Sequence, residues 1–259
     1  MKKLFLILTV LSIIGTGSPY AQYDPIRFIY GKYTLESFYD SVNYSSKLIV
    51  SRGSLLVYSS VSSDLISDIK AYDFSGDGSK EIVIEYYSGG AHCCFSLNIC
   101  SIYNDKYTVL DSLYLGNSYY EAIDLNNDGE LELVSSNDMF AYAFTNFAQS
   151  RFSIAIYSFK NNKLNPANKD FEKEVLAHIK ELKDELNEYT KNGFECPKSA
   201  EEETFNTDAG AVQAILAPIV ADYESIGMTE KGYELINKVY TCPDKDKFIK
   251  ILKQEFKLK

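Results

Sequence analysis

Two nine-residue stretches carry oxygen side chains at a spacing that suits a hard cation. Asp73-Phe-Ser-Gly-Asp-Gly-Ser-Lys-Glu81 places Asp73, Ser75 and Asp77 at its first, third and fifth positions. Asp124-Leu-Asn-Asn-Asp-Gly-Glu-Leu-Glu132 places Asp124, Asn126 and Asp128 at the same positions. A glycine follows, Gly78 or Gly129, where the chain must turn sharply, and a carboxylate closes each stretch, Glu81 or Glu132. The backbone carbonyls of Ser79 and Glu130 offer one more oxygen each. Ca²⁺ takes about six to eight oxygens at roughly 2.3–2.6 Å, and this spacing converges them on one point. An EF-hand would need an acid at the twelfth position and flanking helices. Ile84 and Ser135 stand there, and the residues after each stretch, Glu81-Ile-Val-Ile-Glu-Tyr86 and Glu132-Leu-Val-Ser135, read as strands. The expectation is a calcium loop inside a β-hairpin. The competing reading of one copy is a metal-free turn rich in Asp and Asn; two copies in register favour the metal.

A second candidate is Ser88-Gly-Gly-Ala-His-Cys-Cys94, in which Cys93 or Cys94 would be a nucleophile and His92 its base. Adjacent side chains on a strand point to opposite faces, so the pair does not converge, and structural roles are favoured: a vicinal disulfide or packed thiols. The chain has two histidines, His92 and His178, which excludes a three-histidine zinc site. Of the five cysteines, Cys196 and Cys242 alone fall in the C-terminal part, each before a proline in a loop between predicted helices. In an oxidising compartment they are natural partners. Cys100 is the expected buried free thiol.

The elements that must position these groups form a repeat. The acidic stretches are offset by 51 residues (73 to 124). Phe95-Ser-Leu-Asn-Ile-Cys-Ser-Ile-Tyr-Asn-Asp-Lys106 matches Phe152-Ser-Ile-Ala-Ile-Tyr-Ser-Phe-Lys-Asn-Asn-Lys163 at an offset of 57 (95 to 152), so the second copy is longer by the difference, around Met139 to Gln149. Each copy reads strand, acidic loop, strand, connection, strand, turn, strand, the plan of a four-stranded antiparallel unit such as a propeller blade. Upstream, strands flanking Arg52-Gly53 predict a hairpin, half of a further unit without the acidic loop. So few units do not close a propeller, so the helical part, a sandwich arrangement or a partner must cover the sheets.

Both acidic loops resemble the calcium-binding repeats of integrin-type, FG-GAP or VCBS-like proteins, with the pattern Asp-x-[Asp/Asn]-x-Asp-Gly-x-x-[Asp/Glu]. The resemblance covers roughly residues 65 to 165 and implies blade-like repeats with structural calcium. The ligands it implies are Asp73, Ser75, Asp77, Ser79 and Glu81, and Asp124, Asn126, Asp128, Glu130 and Glu132. Ser75 departs from the pattern and is a weaker ligand than Asp or Asn. Tyr87-Ser-Gly-Gly-Ala-His-Cys-Cys94 looks like a segment of uncharacterised exported bacterial proteins carrying such repeats. No activity comes with the resemblance.

From Asn165-Pro166 onward the apolar spacing becomes helical. Helices are expected from Asp170 to about Lys191, with Gly193 as the stop, and from Asp208 to Ile226, kinked at Pro218. A third should run from a Thr229 cap to about Tyr240, and a fourth from Asp244 to Phe256. His178 reads as a surface or core-rim residue.

At the N-terminus, Lys2 and Lys3 precede an apolar run from Leu4 to Ile14 and a small, polar stretch to Ala21. That is the layout of a secretory signal peptide, and eleven helical residues span only about 16 Å, short of a bilayer core. The chain of 259 residues carries a net charge of −10 with 26 basic residues, which lacks the basic stripe nucleic acid needs. The fold class expected is α+β. Residues 1–21 are a signal peptide, 22–165 a β-rich repeat region with two calcium loops, and 166–259 an α-helical bundle. The function expected is an exported, calcium-binding interaction module, periplasmic or secreted, with Ca²⁺ as cofactor and no membrane span in the mature chain. The aromatic run Phe140-Ala-Tyr-Ala-Phe-Thr-Asn-Phe147 would offer a protein or glycan surface, or pack in the core. The alternatives are a hydrolase with its site near Gly89 to Cys94, and a structural envelope protein.

Overall fold

The computed structural model describes residues 24–90 and 93–259. The signal-peptide segment and His92 lie outside the described residues. The chain forms three four-stranded antiparallel sheets followed by four helices. The first sheet runs β1 (Ile26–Tyr30), β2 (Tyr33–Asp40), β3 (Ser45–Arg52) and β4 (Leu55–Ser62). The second comprises β5 (Leu65–Tyr72), β6 (Glu81–Tyr87), β7 (Phe95–Tyr103) and β8 (Lys106–Gly116). The third comprises β9 (Tyr120–Ile123), β10 (Glu132–Asn137), β11 (Ser153–Lys160) and β12 (Lys163–Pro166). In every sheet the spatial order is the chain order. The repeat therefore marks two whole sheets, and the upstream hairpin belongs to a complete third one. The half unit expected there is corrected to a full unit whose first turn is Gly31-Lys32 in place of an acidic loop.

Period-two alternation decides how the sheets stack. In β6, Ile82 and Ile84 point into a core shared with Leu35, Leu48 and Val50 of the first sheet. Val83 between them points the other way, with Leu97 and Ile99 of β7, into a core completed by Leu133 and Phe159 of the third sheet. The middle sheet is thus buried on both faces, which its unbroken apolar run requires. In β11 and β10 the alternation continues. Ile156 and Val134 face the helices, and Phe159 and Leu133 face the middle sheet. Strands of like position meet between sheets: β1 lies against β5, β4 against β8, and β8 against β12. Each fully buried Ile, Leu or Val of these layers contributes about 1.5–3 kcal/mol relative to exposure.

The helices are α1 (Glu172–Thr190), α2 (Asp208–Ser225), α3 (Thr229–Val239) and α4 (Lys245–Gln254). Val175, Ile179, Leu182 and Leu186 form the buried stripe of α1, and Gly193 ends that segment in a left-handed conformation at φ +79°. α2 is the centre of the bundle, buried on nearly all sides from Ala209 to Val220, and it continues through Pro218. Its N-terminus is capped by Thr207, whose Oγ1 accepts from Gly210 N at 3.2 Å. Thr229 is the first residue of α3 and not its cap; Met228 precedes it without a side-chain cap bond. The Phe140–Phe147 run packs in part in the core, with Tyr142 exposed. Phe140 and Phe144 are buried against Phe256 and Phe248, and so tie the third sheet to α4 and the C-terminus. Among the described residues no helix is long and apolar enough to cross a membrane.

Cys196 and Cys242 form a disulfide with Cα atoms 5.3 Å apart, joining the α1–α2 loop to the α3–α4 loop. Cys93 and Cys94 form the vicinal disulfide that the sequence left open. Cys100 is a buried free thiol that accepts a hydrogen bond from Tyr107 Oη at 2.9 Å, and burial pushes it up to about 11.

One buried carboxylate joins the helices to the third sheet. Asp222 of α2 accepts from Ile154 N of β11 at 2.9 Å, and its other oxygen lies 2.8 Å from Nδ1 of His178 on α1. Burial raises the Asp222 carboxyl above the usual range, against the pull of His178 and the Ile154 N–H. A raised carboxyl contributes stability that is complete below its unfolded value and is lost as pH rises through the folded one. Asp222→Asn keeps the acceptor for Ile154. It is expected to flatten the decline in stability as pH rises above about 4. Urea midpoints measured across pH 4–8 check this, and superimposable pH profiles of the two proteins would reject it.

Candidate metal loops

Both acidic stretches lie where the sequence places them, each linking the first strand of a sheet to the second. Asp73 follows β5 directly and Glu81 opens β6; Asp124 follows β9 and Glu132 opens β10. The short polar side chains fold back on their own backbone. Asp73 Oδ2 accepts from Gly78 N at 2.9 Å, and Asp77 Oδ1 from Ser79 N at 2.7 Å. In the second loop Asp124 Oδ2 accepts from Gly129 N at 2.9 Å and Asp128 Oδ1 from Glu130 N at 2.9 Å. Asn126 binds Asp128 twice, through its backbone N–H and its carboxylate. The two glycines take φ of +87° and +91°, the left-handed turn that position needs.

The closing glutamates do something that cation spacing alone does not suggest. Glu81 Oε2 accepts from Phe74 N at 3.2 Å, and Glu132 Oε2 accepts from Leu125 N at the same distance. Each therefore staples the end of its loop to the start. Burial, and then the charges of Asp77 and Asp73, raise the Glu81 carboxyl despite the Phe74 N–H. Burial raises Glu132 in the same way, opposed by the Leu125 N–H and helped by Asp128, Asp124 and Glu130. Asp77 and Asp128 are exposed and held low, chiefly by the N–H groups of Ser79 and Glu130.

The loops are neighbours, which the linear sequence does not reveal. Leu131 N of the second loop donates to Phe74 O of the first at 3.2 Å. Gly76, at φ +66°, faces the other loop so closely that a Cβ there would stand 2.6 Å from Gly129 O. On its far side the first loop is held by the first sheet, where Tyr30 Oη donates to Lys80 O at 2.5 Å.

The donors are all oxygens, the set a hard cation takes. Asp73 Oδ1 is buried without a hydrogen-bond partner among the described residues. The carboxylates of each loop are turned to backbone N–H groups, and among the described residues no three His, Cys, Asp or Glu side chains are gathered as a metal cluster.

Of the second candidate, Ser88, Gly89, Gly90, Cys93 and Cys94 lie between β6 and β7 and outside both strands. Ser88 N donates to Cys94 O at 3.0 Å, Ser88 Oγ accepts from Cys94 N at 2.6 Å, and the Tyr87 hydroxyl donates to Gly90 O. With each sulfur bonded to the other, neither is a thiolate nucleophile. No protein-family model, curated protein or solved structure matches this chain.

Proposed function

We propose that this chain is an exported calcium-stabilised binding module, periplasmic or secreted, whose sheets are propeller-blade-like units. One observation carries the reading: two copies of the same oxygen-rich loop open equivalent hairpins side by side, and one of them holds a buried carboxylate oxygen with no partner among the described residues. Asp73, Ser75, Asp77, Ser79 and Glu81 would hold one Ca²⁺, and Asp124, Asn126, Asp128, Glu130 and Glu132 the other. When bound, the cation would supply positive charge beside Glu81 and Glu132, whose carboxyls burial raises. The blade-like reading is supported by the contact of like-positioned strands, β1 with β5 and β4 with β8. Export is supported by the Cys196–Cys242 bridge, which needs an oxidising compartment. The acidic balance points away from nucleic acid.

A second reading, turns that need no metal, draws on the hydrogen bonds each loop already makes. Titration separates the two. Calorimetry on the mature, oxidised protein is expected to find about two Ca²⁺ per chain, at roughly 10⁻⁴–10⁻³ M as in extracellular modules. At a hundredfold excess over the dissociation constant, one site adds about 2.7 kcal/mol, so melting should rise with Ca²⁺ and fall back with chelator. No heat of binding and no melting shift would leave the metal-free turns as the answer.

A further inference from the structure

At the end of the sheets opposite the acidic loops, aromatic rings gather on the surface. Phe95 stacks on Tyr87 with ring centroids 4.8 Å apart and meets Tyr119 at 4.6 Å. Tyr114, opposite Ser96 in the β7–β8 pairing, donates its hydroxyl to Cys94 Sγ at 2.7 Å. The vicinal disulfide thus borders the same aromatic surface. Tyr119 is 72% exposed and Tyr114 68%, so ring faces are open to solvent where most tyrosines of the chain are packed. Beside them a cavity of about 70 Å³ is lined by Lys70, Glu85, Phe95, Ser96, Tyr119 and Tyr120. Its polar wall is built: Glu85 Oε1 accepts from Lys70 Nζ at 2.6 Å and from Tyr120 Oη at 2.7 Å. Tyr119 and Tyr120 also line a broader groove of about 380 Å³ that runs to Ser136 and His178. Tyr119 and Tyr120 border both depressions.

We propose that this cleft binds neutral pyranose rings of a glycan, which deepens the binding-module reading and rests on it. A pyranose has an apolar C–H face that lies on an aromatic ring and an equatorial belt of hydroxyls that needs fixed donors and acceptors. The site offers both, with the exposed ring of Tyr119 as platform and Glu85, Lys70, Ser96 and the Tyr120 hydroxyl beside it as polar partners. The smaller cavity has the volume of two waters, at about 30 Å³ each, so it takes a hydroxyl group and not a ring. The ring itself lies on the exposed faces, and the broader groove holds the next residue of the oligosaccharide. The net charge of −10 selects against acidic sugars.

Isothermal titration and ligand-observed NMR on the oxidised, Ca²⁺-saturated protein test this with cello-, chito-, malto- and xylo-hexaose. At least one series is expected to bind in the millimolar range or tighter. Tyr119→Ala should weaken it tenfold or more, and Tyr119→Phe, which keeps the ring, should restore most of the affinity. Tyr119 is mostly exposed, so both variants fold. No binding by any series at 10 mM, or binding that Tyr119→Ala and Tyr114→Ala leave unchanged, overturns the proposal. The Ca²⁺ melting shift measured on the same samples separates the failures. Sugar binding lost with that shift intact defeats only the glycan cleft, whereas a missing shift defeats the calcium reading.

Discussion

Replacing Cys196 and Cys242 together with alanine is expected to lower the unfolding free energy by about 4 kcal/mol. The bridge spans 46 residues of sequence, and the chain-entropy relation gives that figure for a loop of this size. The location makes the effect large. The bond ties the long connection before α2 to the turn before α4, and Cys242 is buried beside Phe248 and Tyr240 in the helical core. Without it, the connection between Thr190 and Asp208, which has no regular structure of its own, loses its covalent anchor and keeps only contacts such as Phe194 on Tyr240. Each single variant should cost about as much as the double, since either one opens the same loop. Removing Cys93 and Cys94 closes no such loop and should cost far less by this mechanism. Denaturant unfolding of the oxidised proteins measures both. A double variant within about 1 kcal/mol of the parent would show that the helical core holds the connection unaided.

Why this bridge is readable from sequence while other features are not follows from how each is encoded. Two cysteines alone among helices leave one pairing to consider. The second and third sheets are legible because their acidic loops recur in register and fix the phase of the strands around them. The first sheet is legible only at Arg52-Gly53, because Gly31-Lys32 carries no comparable signal for β1 and β2. The apolar stripe of α1 gives its buried face directly, but α2 is apolar on all sides, so no stripe announces that it is the centre of the bundle. Aromatic density between Phe140 and Phe147 says that the segment meets something, not whether it meets solvent or core. The cleft is more hidden still. Lys70, Glu85 and Phe95 lie on three paired strands of the second sheet, and only the stacking of that sheet on the third brings Tyr120 to them.

The same stacking brings the acidic loops together, and the two Ca²⁺ sites proposed for them are expected to be energetically coupled. The Leu131 N–H to Phe74 carbonyl bond and the close approach of Gly76 to Gly129 leave neither loop free to rearrange alone. At a hundredfold excess of Ca²⁺ over both dissociation constants, the pair of sites adds about 5 kcal/mol if independent. Asp73→Ala or Asp124→Ala should remove more than half of the Ca²⁺-dependent increment, because each loosens the neighbouring loop as well. The double-mutant cycle should then be non-additive by about 0.5–3 kcal/mol, the range for residues in one network. Gly76→Ala provides the contact-only control. It removes no ligand side chain, yet its methyl group meets Gly129 O and its φ of +66° strains any side chain. It should weaken Ca²⁺ binding at the second loop while leaving every side chain there in place. Additive losses, each half of the total, together with a second site indifferent to Gly76→Ala, would show two separate loops that merely touch.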